Sequence, residues 1–298
     1  MKKLVAIIAA TTALSGAAQA EGITAFNIGI LGGENAQDRL SSNECFRKYV
    51  EDELGVPVKL FAPADYDGVI QGLLGGTIDA ALLGASGYAK IYLTDPNAVT
   101  PVLVTTHPDG ASTYYSIGFA RKDSGIRTLQ DAKGKRFGFG DPNSTSGYLI
   151  PSLEIPQVIG AKMEDYFGEV KFTGGHEQTI VAVNNGDIDA GVTWADGNGA
   201  WEDGYNEGAL HKAVQAGLVD MNDLVEIWKS NPIPEGPFVL RNALPEDVKA
   251  KVTALIAGLH DKDPECANAV NSGETAGFVP VTNAAYEQII AVRKMQSN

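Results

Sequence analysis

A helix–turn–strand unit that occurs twice constrains this chain more than any other feature. Residues 66–84 read YDGVIQGLLGGTIDAALLG, and residues 177–194 read EQTIVAVNNGDIDAGVTW. Each gives a short apolar helix, a glycine turn, and Ile-Asp-Ala entering an apolar strand. Gly76 and Asp79 correspond to Gly186 and Asp189. Two α/β lobes of similar plan produce such an echo; a chance likeness between two ordinary helix–turn–strand units is the plainer explanation. The segments before the first copy favour lobes. Thr24 to Leu31 alternates in a strand pattern, Arg39 to Leu54 has helical spacing up to Gly55, and Val58 to Phe61 is a second strand. That βαβ rhythm predicts a parallel or mixed sheet covered by helices.

The remaining organisation follows from where strands cross. YYSIGFAR at 114–121 leads into new material, and IWKSNPIPEGPFVL at 227–240 brings the chain back. The prolines of the second stretch favour an extended crossing. The expected division is residues 21–117 with 235–298 in one lobe and 118–234 in the other. The segment 245–298 reads as mainly helical, with Val248, Val252, Leu255, Ile256 and Leu259 at helical spacing. Two crossings between two α/β lobes describe a hinged clamp with its ligand in the crevice between them.

Residues 1–20 stand apart. Lys2 and Lys3 precede an apolar run from Leu4 to Leu14, and Ala18-Gln19-Ala20 has the small-x-small form of a cleavage site. This predicts a secretory signal and an exported, periplasmic protein. A net charge of −14 argues against a nucleic-acid partner and against anionic lipid. Export permits a bridge between Cys45 and Cys266, but buried free thiols fit the sequence equally well.

The residues that carry chemistry cluster at helix starts. Gly138 to Tyr148 reads GFGDPNSTSGY, a strand running through a loop into a helix. One hydroxyl suffices to cap a helix. Ser144, Thr145 and Ser146 followed by Gly147 offer more than that, a neutral cradle for an oxyanion. Gly174-Gly175-His176-Glu177 opens the second echo helix, where His176 can donate to the same anion or serve as a surface cap. Tyr66 opens the first echo helix, and Tyr114 lies beside the first crossing. Each can wall the crevice or pack into a core. Asp196, past the second echo strand, can meet a ligand ammonium or be a solvated loop carboxylate. No cofactor and no metal site is expected. His176-Glu177 lacks the second histidine of a zinc-protease helix, and Gly32-Gly33 is too short for a phosphate-binding loop. A secreted hydrolase built on Ser146, His176 and Asp196 is the reading from another class, against which stands the missing nucleophile elbow.

DPNSTSGYLIP, GGHE, PADYDGVIQGLL and IWKSNPIPEGP together resemble the phosphonate-binding proteins of the PhnD type. These are periplasmic solute-binding components of phosphonate, phosphite and phosphate ABC importers. The resemblance runs in order over nearly the whole chain after residue 20. It implies an α/β, two-lobed type II periplasmic binding protein fold that closes on its ligand. It implies no catalysis, a monomer, and an inner-membrane ABC permease as partner. It assigns the oxyanion to Ser144, Thr145, Ser146 and His176, and ligand-facing roles to Tyr66 and Tyr114. It implies an amine contact at Asp196 and makes 2-aminoethylphosphonate the leading ligand, with phosphite or phosphate as the alternative. One segment departs from the pattern. Pro234-Glu235-Gly236-Pro237 stands where the family carries Pro-Gly-Asp-Pro, so Glu235 is one place early and Gly236 has no side chain.

Overall fold

The computed structural model describes residues 22–296; the expected signal segment lies outside them. Among the described residues twelve strands form two sheets, and helices cover both. The first sheet contains β1 (Phe26–Gly29), β2 (Val58–Phe61), β3 (Ala80–Leu82) and β4 (Val99–Thr106). The second contains β5 (Thr113–Arg121), β6 (Arg136–Phe139), β7 (Glu169–Phe172), β8 (Ala190–Ala195), β9 (Leu224–Lys229) and β10 (Ile233–Pro234). The chain then returns to the first sheet with β11 (Pro237–Arg241) and β12 (Gly277–Pro280).

The strand order is β12-β4-β11-β3-β1-β2 in one sheet and β10-β5-β8-β6-β7 in the other, with β9 also on β5. Within each sheet three strands run parallel, β2-β1-β3 and β7-β6-β8, and the next strand is antiparallel. The two sheets thus share one plan, and the echo marks the same place in both. Gly76 and Gly186 end their helices in the left-handed region, at φ 79° and 80°. Asp79 then accepts the Asn27 amide N–H at 2.9 Å and pairs with Arg241. Asp189 accepts the Arg136 amide N–H at 2.8 Å and pairs with the Arg136 guanidinium. In both lobes the aspartate ties the start of its strand to the neighbouring one.

Several elements differ from the sequence expectation. The Arg39–Leu54 stretch is two helices, Ala36–Ser42 and Glu44–Leu54, because Asn43 interrupts the run. β1 is shorter than Thr24 to Leu31. The C-terminal segment is helical over Glu246–Ala257, Leu259–Lys262, Pro264–Asn271 and Glu287–Gln296, but also supplies β12 along β4. Four residues ending in proline carry too little alternation to announce a strand. The chain crosses between sheets over 107–112 and again over 235–236, so the expected boundary at 117/118 falls inside β5.

Each sheet has its own core. Phe26, Phe46, Leu54, Phe238 and Val252 pack on the first, and Phe119, Phe137, Phe139, Ile180 and Leu210 on the second. Cys45 and Cys266 are disulfide-bonded, with Cα atoms 5.9 Å apart, which joins two helices of the first lobe.

Candidate functional site

The cleft between the sheets has a volume of about 1070 Å³. Its wall includes Tyr66, Tyr114, Ser144, Thr145, Ser146, His176 and Glu235. Asp196 is not part of that wall. The structure therefore brings seven of the eight expected residues together.

The hydroxyl segment starts where β6 ends. Asp141 accepts the Asn143 N–H at 2.6 Å and the Tyr66 N–H at 3.3 Å, which fixes the loop against the first-lobe helix Tyr66–Gly75. Ser144 caps the following wide turn by accepting the Gly147 N–H at 2.9 Å, so one of the hydroxyls does the plain capping work. Thr145 Oγ1 accepts the Ser86 N–H at 2.9 Å, at the start of the first-lobe helix Ala85–Thr94. Ser146 is placed by the Ser116 hydroxyl, which donates to its carbonyl at 2.7 Å. Behind the segment, Arg293 donates to Asn143 Oδ1 at 2.7 Å and to Ser86 Oγ.

His176 opens the helix His176–Asn185, whose cap position is Gly175 and has no side-chain bond. Its Nε2 lies 3.3 Å from Ser144 Oγ, and its Nδ1 lies 3.3 Å from Thr193 Oγ1. With the Thr193 hydroxyl donating to Nδ1, Nε2–H points toward Ser144 and the cradle. Burial lowers the His176 pKa to about 4, so the ring is neutral near pH 7. The Tyr66 hydroxyl reaches Ser144, and the Tyr114 hydroxyl reaches Ser146 and Thr145; burial pushes both phenols well above their usual range. Five hydroxyls and one imidazole N–H, all uncharged, thus converge on one space.

This arrangement lacks the parts of a hydrolase. His176 faces Ser144, not Ser146, and threonine, not a carboxylate, holds its far nitrogen. Among the described residues no group of three or more His, Cys, Asp or Glu is placed to hold a metal ion.

Asp196 is buried with its Oδ1 accepting the Glu207 N–H at 3.1 Å. Strand β8 stops at Ala195, and Asp196 just past it is not on the cleft wall. Glu207 lines the cleft in its stead. Glu235 reaches the cleft from the second crossing, with Oε1 3.0 Å from His107 Nε2. Gly236 has no room for a side chain, since a Cβ there would stand 1.7 Å from the Leu83 carbonyl oxygen. The sequence reading missed His107, Glu207, Ser86, Thr193 and Arg293. Nothing near them in the chain marks them; their meaning comes from partners remote in sequence.

Across the mouth the lobes touch. Lys212 Nζ lies 3.3 Å from the Glu34 carboxylate, and Asn35 N–H donates to Glu177 Oε2 at 3.3 Å. The backbones of Gly33 and Gly175 meet so closely that a Cβ on Gly175 would lie 2.2 Å from Gly33 Cα. Arg39, itself buried, holds the 30–34 loop by donating to the carbonyls of Ile30, Leu31 and Glu34. The lobes are closed on each other.

Residues 28–286 match the family described as ABC transporter, phosphonate, periplasmic substrate-binding protein. The chain is 30% identical over 289 residues to the phosphonates-binding periplasmic protein of Escherichia coli K12, covering 96% of this chain and 80% of that one. It is 29% identical over 275 residues to the phosphate-import protein PhnD of Mycolicibacterium smegmatis, covering 86% and 81%. Among solved structures, a binding-protein component of an ABC phosphonate transporter from Pseudomonas aeruginosa superposes with a TM-score of 0.77 at 27% identity, over 92% of this chain and 86% of that one. The two-lobed architecture is that of the type II periplasmic binding proteins. With a profile match over most of its length and a relative of this identity and coverage, the chain belongs to the phosphonate family of periplasmic substrate-binding proteins, the non-enzymatic capture components of ABC transporters.

Proposed function

We propose that the cleft captures a small phosphonate by its oxyanion and that the closed form delivers it to an inner-membrane ABC permease. The observation that carries this reading is the convergence of Ser144, Thr145, Ser146, His176, Tyr66 and Tyr114 on one buried space. A tetrahedral oxyanion has several acceptor lone pairs and no donors when fully ionised. A ring of hydroxyls and N–H donors is its complement, and the low-dielectric wall strengthens each bond. Six such bonds suffice for micromolar or tighter binding, about −8 kcal/mol. Because Tyr66 lies on the first lobe and the Ser-Thr-Ser segment on the second, only the closed form presents every donor, so ligand favours closure. The crossings at 107–112 and 235–236 serve as the hinge. Residues 1–20 direct export to the periplasm.

The tail of the ligand is the finer question. 2-Aminoethylphosphonate is favoured by one observation, that Glu207 and Glu235 both stand on the wall. Methylphosphonate, phosphite and phosphate are favoured by two, that Asp196 is not on the cleft wall and that Glu235 is already paired. The test is calorimetric titration of ligand-stripped protein with all four. Binding of at least one at micromolar affinity or better is expected, with Ser144→Ala weakening it about 10- to 100-fold. No heat from any of the four overturns the proposal.

A further inference from the structure

His107 is a buried ionisable group that the oxyanion site leaves unused. It sits at the start of the first crossing, just past β4, with 3% of its surface exposed. Its Nε2 lies 3.0 Å from Glu235 Oε1 on the second crossing, and its Nδ1 lies 3.7 Å from Glu207 Oε2 on the second lobe. Both carboxylates line the cleft, while the imidazole stands behind them. Glu207 and Glu235 together raise the ring's pKa to about 10, so it is cationic at neutral pH.

We infer that His107 sets the tail preference of the cleft: as a resident imidazolium between Glu207 and Glu235, it fills the cationic role that a ligand ammonium would otherwise take. The site then favours a phosphonate or related oxyanion whose tail carries no positive charge. The inference rests on the oxyanion reading above and narrows it.

The physical reason is charge balance in a buried place. Two carboxylates alone present two negative charges to the ligand tail. The imidazolium reduces this to one and occupies a Glu235 oxygen. Buried charges are weakly screened, so this change of one unit is felt across the cleft. An ammonium entering from water gives up its hydration and needs an uncompensated carboxylate in return. The expected amine partner Asp196 accepts the Glu207 N–H and is not on the cleft wall. His107 is therefore a positioning residue. It touches no ligand and acts through the carboxylates that do.

The test compares methylphosphonate with 2-aminoethylphosphonate by calorimetry on the full ligand-stripped protein. The wild type should prefer methylphosphonate by about tenfold or more. His107→Gln removes the charge and should shift the ratio of affinities toward the aminated ligand by about tenfold or more. His107→Lys restores a cation and should return the ratio toward the wild-type value. A merely structural role would weaken both ligands alike and leave the ratio within about twofold; that result, or a wild type that prefers the aminated ligand, overturns the inference. If His107→Gln does not fold, nitrogen-15 NMR of the wild-type imidazole decides. A doubly protonated ring at pH 7.5 supports the inference, and a neutral one overturns it. Wild-type protein that binds neither ligand, nor phosphite nor phosphate, removes the oxyanion reading and this inference with it; binding with an unchanged ratio removes this inference alone.

Discussion

His176 and His107 show how two buried histidines acquire opposite charge states. Burial outweighs the nearby Glu34 carboxylate and holds His176 neutral, with its pKa lowered to about 4. Burial between two carboxylates holds His107 cationic, with its pKa raised to about 10. The consequences for stability have opposite signs. As pH falls below about 6.5, the unfolded chain protonates His176 while the folded chain does not, so stability drops until about pH 4. A thermal-denaturation series from pH 7 to 4 should show this loss, on the order of 3 kcal/mol, and His176→Asn should reduce that slope. For His107 the folded state holds its proton more tightly, so its contribution is complete below about pH 6.5 and is lost as pH rises toward 10. Ser144→Ala should cost about 1 kcal/mol of stability in addition to its effect on affinity, because the same oxygen caps the turn through Gly147 N–H. A ligand-free melt checks that separately from titration. The hydroxyl cradle was legible in sequence because Ser144 to Ser146 are contiguous and sit at a helix start. His107 was not legible, since its partner Glu235 is 128 positions away and a lone histidine in a turn carries no local pattern. Asp196 was misplaced for a related reason. A position just past a strand end points to the crevice in general, but here Asp196 is buried and bonded to the Glu207 N–H, a partner eleven residues on.

At the level of elements, the repeated helix–turn–strand unit proved to be a repeated hydrogen-bond device. Asp79 and Asp189 each accept a backbone N–H from the adjoining strand and each pair with an arginine, Arg241 and Arg136. The motif could be read from the chain because both partners of the turn, the glycine and the aspartate, lie within four residues. Its arginines could not, because Arg241 and Arg136 come from elements outside the unit. β12 was hidden for the complementary reason, that it gains its strand character from β4 and not from its own four residues. The bridge between Cys45 and Cys266 was left open by the sequence and is formed in the structure, linking the helices Glu44–Leu54 and Pro264–Asn271. Cys45→Ala with Cys266→Ala should lower stability by roughly 2–4 kcal/mol. Denaturant titration of the double variant against the oxidised wild type measures it.

Over the whole molecule, function depends on the balance between open and closed lobes. The closed contacts include cross-lobe hydrogen bonds such as Asn35 N–H to Glu177, an ion pair and a steric contact. Lys212 with Glu34 is a partly exposed ion pair, which contributes little and weakens with salt. Gly33 against Gly175 is a steric contact that tolerates no added atom. Gly175→Ala should therefore obstruct closure and weaken ligand binding by more than about tenfold, with a small-angle scattering profile that stays extended when ligand is added. A compact profile with unchanged affinity would count against closure as the source of binding energy. The disulfide described above has a further consequence for how the molecule comes into being. Everything in the second sheet lies between residues 113 and 234, whereas the first sheet needs β11, β12 and the helices that follow them. A chain emerging amino end first can complete its second lobe while its first is still missing strands. Cys45 must then wait, as a free thiol, until Cys266 arrives. The lobe begun first is finished last, and its bridge records that the whole second lobe has already passed through.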